Sequence, residues 1–320
     1  MRPPHPHLSA GRGDPRWRGG PPLPALRLDR EGADRVALRA PGRPGGDPAQ
    51  HDPRRLVSRE PFSARLAARG REVGSLLCLG LDPTGCADAS EVERFCVAML
   101  EAALPHVVAV KPNLAFFEQH GAAGLAVLER VRHMVPASRL LILDAKRSDI
   151  GSTAEAQARA LFDVWGADAV TVNPLLGQDA VAPFLARPGT AALILARTSN
   201  PGAADFLEAP LQDGRPLYRL IVERALTWSG AAEIGFVVGA TAAPVVAEVR
   251  CLAPSAPLLL PGIGAQGGDL EAAVSAGLDA AGGGVVVPVS RGITGAADPR
   301  AAAADLCRRI EAVRAGAPRR

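Results

Sequence analysis

The chain has 320 residues, 48% of them hydrophobic, which is enough to bury one sizeable core. Its formal net charge of +3 originates in the first 60 residues, which hold 12 arginines against 7 acidic residues, so the charge does not indicate a folded nucleic-acid-binding surface. No apolar stretch reaches about 18 residues, the length of a membrane-spanning helix, and five cysteines without a CxxC pair are typical of reduced, mostly buried thiols in a cytoplasmic protein.

The first 58 residues differ in composition from the rest of the chain. Residues 1–60 contain 11 prolines and 8 glycines, with no apolar periodicity of a helix or a strand. Such a composition does not offset the entropy lost on ordering, so we expect a disordered extension over 1–58 and one folded domain over 59–320. No apolar run of the secretory type follows Met1, and a start codon assigned too far upstream would explain the segment equally well.

From residue 59 onward, apolar runs of strand length alternate eight times with longer segments of helical period. Each run is apolar throughout, as in parallel strands covered on both faces. The predicted strands are 76–82, 107–113, 140–146, 169–173, 191–197, 234–241, 258–262 and 285–291. Eight such repeats in about 250 residues match one (β/α)8 TIM barrel. The alternative, a doubly wound sheet, usually has fewer strands and a topological switch point.

Capping residues predict where four of the helices begin. The predicted caps are Ser90 with Glu93, Ser152 or Thr153, Thr241 ahead of the Ala-Pro pair at 243–244, and Asp298 ahead of Pro299.

Polar side chains end six of the eight predicted strands, which is the face where a TIM barrel carries its chemistry. They are Asp82, Lys111, Asn113, Asp144, Lys146, Asn173, Arg197, Thr198, Ser199, Ser290 and Arg291. A single polar strand end is routinely a helix cap or a turn, but six together favour an active site.

The chain has only two lysines, Lys111 and Lys146, among 36 basic residues, and both fall at these strand ends. Lysine is a compact cation that can release a proton, whereas arginine stays charged, so a site that needs a proton donor needs lysine. Residues i and i+2 of a strand share a face, which predicts that Asp144 and Lys146 point together into the barrel mouth. With Asp149 in the following loop and Lys111 on the neighbouring strand, they can form an alternating acid-base array of four residues; the alternative is an ion-pair network that only braces the barrel.

A glycine-rich loop follows the seventh predicted strand, and Ser290 and Arg291 follow the eighth. The loop runs from Pro261 through Gly262 to Gln266 and Gly268. Loops after strands 7 and 8 commonly hold phosphate in this fold, and an arginine adds a bidentate contact. The glycines also fit a dinucleotide-binding pattern, but no acidic residue ends the next strand to hold a ribose, so phosphate is the predicted ligand.

The Asp-x-Lys-x-x-Asp pattern of Asp144, Lys146 and Asp149 resembles the signature of orotidine 5'-monophosphate decarboxylases. Further segments look like the bacterial subgroup that includes the mycobacterial enzymes: 79–83, 110–113, 116–118, 198–202, 238–241, 261–268 and 290–293. The resemblance covers residues 62 to 313. It implies a cofactor-independent TIM-barrel lyase that converts orotidine 5'-monophosphate to uridine 5'-monophosphate, the last step of de novo UMP synthesis.

The resemblance also implies a role for each matching residue. Lys146 would be the proton donor, Asp144 would lie beside the substrate carboxylate, and Lys111 would support Asp144 and contact the ribose. Asp82 would contact ribose hydroxyls, and Ser199 would contact the pyrimidine. The phosphate would be held by Pro261, Gly262, Gln266, Ser290 and Arg291. Asp149 and Thr153 would reach across a homodimer into the partner's site. The chain departs from the pattern at Ser148, where glycine is expected, at Leu175, where an aromatic residue is expected, and in a shortened connection after Asp82.

Four alternative functions remain open from the sequence, among them a domain whose first sixty residues recruit a partner. Related sugar-phosphate barrels, such as hexulose-phosphate synthase and ketogulonate-phosphate decarboxylase, share the signature but use Mg2+ on an acidic residue at the end of the second strand, where this chain has Lys111. A Schiff-base aldolase would use Lys146 as a nucleophile, although Asp144 favours its charged, non-nucleophilic form. A nucleotide-binding paralogue without turnover would not need all the proposed catalytic residues, which are present here.

Overall fold

The computed structural model describes residues 60–264 and 266–316. In this part of the chain eight parallel strands form a closed barrel in which each strand pairs with the next and β8 pairs with β1. The strands are β1 (Leu77–Leu81), β2 (Ala109–Pro112), β3 (Leu140–Arg147), β4 (Ala169–Val172), β5 (Ala191–Arg197), β6 (Glu233–Val238), β7 (Leu258–Leu259) and β8 (Val285–Val289). The predicted (β/α)8 barrel is confirmed. The disordered extension predicted for 1–58 lies outside the described residues, and its boundary stays a prediction.

Helices connect consecutive strands and surround the barrel. They are α1 (Phe62–Val73), α2 (Ala89–Ala103), α3 (Ala115–Glu118), α4 (Gly121–Met134), α5 (Gly151–Ala158), α6 (Gln178–Val181), α7 (Ala203–Phe206), α8 (Leu217–Ala225), α9 (Ala243–Leu252), α10 (Leu270–Gly277), α11 (Arg291–Thr294) and α12 (Pro299–Gly316). A π-helical segment over Arg159–Val164 continues α5. Two of the helices, α3 and α11, are single turns directly after β2 and β8, at the barrel face where the predicted site lies.

The buried apolar residues form two clusters, one between the strands and the helices and one inside the barrel. The inner cluster contains the first residues of β2, β3, β4 and β5, together with Phe62 and Leu66 of α1. Helix α1 therefore closes the N-terminal end of the barrel. Polar contacts hold it there: Ser63 donates to Glu233 at 2.8 and 2.7 Å, and Arg65 donates to Asp168 at 2.5 Å. The open end of the barrel is consequently the C-terminal one.

The helix starts agree only in part with the predicted caps. Asp298 accepts a hydrogen bond from the backbone N–H of Ala301 at 3.0 Å, as predicted. The cap of α2 is Asp88, which accepts from the N–H of Glu91 at 2.8 Å, so the prediction of Ser90 was two residues late.

Two further cap predictions were wrong. Helix α5 begins at Gly151 and has no side-chain cap, so Ser152 and Thr153 lie inside its first turn. Helix α9 begins directly after Ala242, and Thr241 does not cap it. Glycine or proline determines where each of these helices begins. Gly151 has a φ of +55° at the start of α5. Pro244 stands in the first turn of α9, where a backbone N–H would have no partner within the helix.

The five cysteines are all free, but only Cys78 and Cys96 are buried and Cys251 is exposed, so the prediction of mostly buried thiols was wrong. Within residues 60–264 and 266–316, no helix has both the length and the apolar character required to cross a membrane.

Candidate active site

A cavity of about 420 Å³ opens at the C-terminal ends of the strands. Ten of the twelve predicted site residues line it: Asp82, Lys111, Asp144, Lys146, Ser199, Pro261, Gly262, Gln266, Ser290 and Arg291. Asp149 and Thr153 do not line it. The cavity is also lined by residues that were not selected as site residues from the sequence, among them Gly80, Asn113, Thr171, Leu195, Thr198, Asn200 and Val237.

The centre of the cavity is a carboxylate held between two ammonium groups. Asp144 Oδ2 accepts a hydrogen bond from Lys111 Nζ at 2.7 Å, and Asp144 Oδ1 accepts one from Lys146 Nζ at 2.5 Å. The side chains of Lys111 and Asp144 are only 7% and 12% exposed, whereas that of Lys146 is 50% exposed. Both lysines line the cavity, and Lys146 is the more exposed of the two.

Electrostatic interactions within this group determine the protonation states of Asp144 and Lys111. Burial alone would raise the pKa of Asp144, but Lys111 and Lys146 outweigh burial and hold its pKa well below the ordinary range. Burial alone would lower the pKa of Lys111, but the charges of Asp144 and Asp82 outweigh it and raise the pKa above its usual value. Near neutral pH, Asp144 is thus an anion and Lys111 a cation.

The backbone at Lys146 is irregular, so Lys146 contacts Asp144 for a different reason from the one predicted. Lys146 has a φ of +45°, the one positive φ of a non-glycine residue in the described part of the chain. The register between β3 and β4 also shifts between Leu143 and Arg147. The predicted contact is confirmed, but it arises in a bulge and not from two residues of a regular strand sharing a face. Thr171 of β4 lies against this bulge, and sequence reasoning missed it.

Two buried oxygen atoms in the cavity have no hydrogen-bond partner. They are Oδ1 of Asp82 and Oγ of Ser290, which directly follow the adjacent strands β1 and β8. Gly80 makes room for Ser290, because a β-carbon at Gly80 would lie 3.0 Å from Ser290 Cβ. A buried polar atom without a partner is costly, so both oxygens are placed to bind polar groups of a ligand.

Ser199 is packed between the ends of two strands. A β-carbon at Gly239 would lie 2.7 Å from Ser199 Cα, and one at Gly262 would lie 2.8 Å from Ser199 Cβ. Gly262 has a φ of +103° as well, which favours glycine. The loop that carries Ser199 is also tied down by Arg197, which donates to Glu208 and to Thr241 at 2.8 Å each. Arg197, predicted as a polar strand end, therefore braces the loop from outside the cavity.

The loop after β7 presents Gln266 at the cavity, and Arg291 at the start of α11 faces it from β8. Gly264 and Gly267 of this loop have φ values of +71° and +82°, conformations that glycine adopts readily. Asp269 caps α10 by accepting from the N–H of Ala272 at 2.9 Å. Since this helix end is already occupied by a carboxylate, an anion would be bound by the loop, Gln266 and Arg291.

Asp149 and Thr153 lie outside the set of residues that line the cavity of their own chain. The carboxylate of Asp149 accepts from the N–H of Ile150 at 2.8 Å, and Thr153 is exposed on α5. Two large apolar side chains of this part of the chain are exposed: Ile150, next to Asp149 in sequence, and Leu175, after β4, are each 57% exposed. Asn173, another predicted strand end, accepts from the N–H of Leu175 at 3.1 Å and serves as a turn residue.

Metal-binding groups of three or more His, Cys, Asp or Glu side chains are absent from the described residues. At the end of β2, Lys111 supplies a buried positive charge where a metal would require an anionic ligand. The residues of this site do not suit a divalent cation.

Comparisons with known proteins agree with this geometry. Residues 75–306 match the sequence pattern of the orotidine 5'-phosphate decarboxylase / HUMPS family. The orotidine 5'-phosphate decarboxylase of Roseiflexus castenholzii is 50% identical over 210 residues, or 63% of this chain and 77% of that protein. The protein of the same name from Thermomicrobium roseum is 46% identical over 241 residues, or 72% of this chain and 86% of that protein. The solved structure of Leishmania donovani OMP decarboxylase is 42% identical, with a TM-score of 0.75 over 81% of this chain and 100% of that chain.

Proposed function

The chain belongs to the orotidine 5'-phosphate decarboxylase / HUMPS family, and we propose that it decarboxylates orotidine 5'-monophosphate to uridine 5'-monophosphate, the last step of de novo UMP synthesis. The observation that carries the proposal is the buried carboxylate of Asp144 between Lys111 and Lys146. This arrangement combines a fixed negative charge with a partly exposed proton donor at the mouth of a barrel.

The reaction leaves a carbanion on the pyrimidine ring, so the protein must favour that transition state over the bound carboxylate. An Asp144 anion about 4 Å from the substrate carboxylate costs on the order of 4 kcal/mol at an effective dielectric near 20. Loss of CO2 removes this repulsion, and the ammonium group of Lys146 stabilises the developing carbanion and then donates its proton to it. Both effects lower the activation barrier for decarboxylation.

The other cavity residues bind the parts of the nucleotide that do not react. Asp82 and Ser290 offer their unpartnered oxygens to the ribose and the phosphate end, and Lys111 contacts the ribose. Ser199 hydrogen-bonds the pyrimidine. Gln266 and Arg291, with the loop at Pro261 and Gly262, hold the phosphate. Binding energy from the phosphate then contributes to positioning the reacting carbon.

The metal-dependent members of the family are the principal alternative, because the family pattern covers them as well. Lys111 argues against a metal at the end of β2, and the relatives at 46–50% identity carry the decarboxylase name. We therefore propose that the reaction proceeds without a cofactor or a metal ion. The five free cysteines support a cytoplasmic location.

We also propose that the enzyme is a homodimer in which Asp149 and Thr153 reach the partner's cavity. Asp149 follows Lys146 by three residues yet does not line its own cavity. Ile150, the next residue, is 57% exposed, and Leu175 and Leu176 after β4 are 57% and 51% exposed. Exposed apolar side chains of this size favour burial against a second copy.

The experiment that tests the function is the decrease in absorbance of orotidine 5'-monophosphate on addition of purified protein. The expected product is uridine 5'-monophosphate with release of CO2. Parallel assays with hexulose phosphate and ketogulonate phosphate in the presence of Mg2+ test the metal-dependent alternative. Borohydride trapping with a carbonyl substrate tests the Schiff-base alternative. Conversion of only a sugar phosphate, or a trapped Lys146 adduct, would contradict the proposal.

A further inference from the structure

Thr171 is a buried polar residue in the middle of β4, whose other residues are apolar. It is 1% exposed, and its hydroxyl group makes three hydrogen bonds, all with residues of β3. The N–H groups of Ala145 and Lys146 donate to Thr171 Oγ1 at 3.0 and 2.9 Å, and Thr171 Oγ1 donates to Asp144 Oδ1 at 3.0 Å. A hydroxyl oxygen accepts two hydrogen bonds and donates one, so its capacity is fully used.

These bonds act on Lys146, whose backbone conformation is strained. A residue with a β-carbon disfavours the left-handed conformation that Lys146 adopts, with a φ of +45°. The bulge also removes the backbone at 145 and 146 from regular pairing with β4. The Thr171 oxygen takes the place of that pairing by accepting from both N–H groups.

Thr171 Oγ1 also orients the carboxylate of Asp144. Asp144 Oδ1, the atom that accepts from Thr171, is the atom that accepts from Lys146 Nζ at 2.5 Å. One hydroxyl group therefore fixes both the backbone from which the Lys146 side chain departs and the carboxylate to which that side chain is bonded. Without it, the backbone at 146 and the carboxylate of Asp144 would each gain alternative positions.

We propose that Thr171 is a positioning residue of the decarboxylase, which holds Lys146 in its left-handed conformation and aligns it with Asp144 for proton donation. The inference rests on the proposed function of the site. Thr171 does not exchange protons with the substrate in this proposal, because its only hydroxyl proton is engaged by Asp144. Nucleotide affinity comes mainly from the phosphate and ribose contacts, so it does not depend on Thr171.

Two pairs of variants isolate the hydroxyl oxygen. Thr171→Val replaces the oxygen of wild type with a methyl group at nearly constant volume, and Thr171→Ala differs from Thr171→Ser by that oxygen alone. A matched control is Thr190→Val, because Thr190 is also buried and donates to a single carbonyl, that of Arg187 at 2.7 Å, next to the N-terminal end of β5 and away from the cavity.

We expect Thr171→Val and Thr171→Ala to lower kcat by at least about 100-fold, since a shift of about 1 Å in a catalytic group costs that much. KM for orotidine 5'-monophosphate and the Kd for uridine 5'-monophosphate should stay within about threefold of wild type in every variant. Thr171→Ser should retain kcat within about fivefold, and Thr190→Val should lose thermal stability without losing kcat. If Thr171→Val does not fold, the comparison of serine with alanine gives the same answer.

The inference would be overturned by a Thr171→Val or Thr171→Ala enzyme with kcat within fivefold of wild type, or by a Thr171→Ser enzyme as slow as Thr171→Ala. Amide hydrogen exchange supplies a readout that does not need turnover. The N–H groups of Ala145 and Lys146 should exchange at least about tenfold faster in Thr171→Ala than in Thr171→Ser. Equal exchange rates in the two variants would overturn the inference, whereas a wild-type enzyme inactive on orotidine 5'-monophosphate would contradict only the proposed function.

Discussion

The ammonium group of Lys111 donates a hydrogen bond of 2.7 Å to the carboxylate of Asp144, and neither side chain is more than 12% exposed. Two charges withdrawn from water in this way depend on each other. Removing one charge leaves the other buried without its partner, whereas removing both takes away the two charges of the pair together. The pair therefore couples catalysis to the stability of the fold.

We predict that Asp144→Asn lowers the free energy of unfolding by about 3 kcal/mol, because Lys111 then keeps only the charge of Asp82 nearby. The double variant with Lys111→Met should recover more than half of that loss. Urea denaturation of the two single variants and the double variant measures the coupling. An Asp144→Asn protein as stable as wild type would contradict the prediction.

The stabilisation by Asp144 should depend on pH in one direction. The pKa of this carboxyl in the folded protein lies below its ordinary value of 3.8, so its contribution is complete above that pH and is lost as the pH falls towards the folded pKa. The stability difference between wild type and Asp144→Asn should therefore be constant from pH 5 to pH 8, a range well above about 3.9, and shrink below about pH 4. A difference that persists unchanged at pH 3 would indicate that charge is not its cause.

Lys146→Arg should abolish turnover while nucleotide binding is kept. Arginine preserves the positive charge next to Asp144 but does not release a proton, so we expect kcat to fall by at least about a thousandfold, within the range of general acid catalysis. Lys146→Met is the matched variant that removes charge and proton together. Stopped assays give kcat, and calorimetry with uridine 5'-monophosphate gives the affinity, expected within about fivefold of wild type for Lys146→Arg. Near-normal turnover by this variant would refute the donor assignment.

The barrel could be predicted, and ten of the twelve selected site residues line its cavity, because strand length, apolar runs and polar strand ends are local signals in the sequence. The strand ends were less predictable. The seventh strand was expected to continue to Gly262, but β7 ends at Leu259. Pro261 has no N–H to pair and Gly262 has a φ of +103°, so the chain leaves the sheet there.

Two features of the site could not be predicted from local pattern. Nothing in the sequence around Lys146 indicates a left-handed conformation, since it is imposed by contacts from β4. Thr171 is β-branched and resembles any other strand residue. The usable signal in the sequence was a residue with a hydroxyl group in an otherwise apolar strand. Helix α1 was also missed, although Phe62, Leu66 and Gly70 recur at helical spacing.

Gly239→Ala should weaken substrate binding by displacing the loop that carries Ser199. The new β-carbon would lie 2.7 Å from Ser199 Cα and 2.9 Å from its backbone nitrogen, so backbone must move. We expect a loss of about 1–3 kcal/mol in stability and at least about a tenfold fall in kcat/KM. Gly283→Ala is the control, because its β-carbon would meet nothing closer than 3.8 Å. Equal kinetics for the two variants would show that the space at Gly239 does not position Ser199.

Turnover should be insensitive to metal removal. Lys111 places a positive charge at the end of β2, and the described residues offer no cluster of metal-binding side chains. We expect the same kcat/KM before and after dialysis against EDTA, and no gain on addition of Mg2+. Loss of activity in EDTA with recovery in Mg2+ would instead support the metal-dependent alternative.

The shared active site of the proposed homodimer predicts complementation between two inactive variants. In the proposed homodimer, Asp149→Ala would remove a residue that the chain donates to the partner's site, and Lys146→Ala would remove a residue of the chain's own site. In a mixed dimer, one site combines an intact Lys146 with an intact Asp149 from the other chain, and the second site lacks both.

Random mixing of equal amounts should therefore restore about one quarter of the wild-type sites, because half of the dimers are mixed and each holds one complete site. The measurement is specific activity after the two proteins are unfolded together and refolded, compared with each variant refolded alone. Ile150→Asp, which places a charge on an exposed apolar residue next to Asp149, should prevent complementation by separating the subunits. If Asp149 acts within its own chain, every mixed dimer has one site without Lys146 and one without Asp149, and mixing restores nothing.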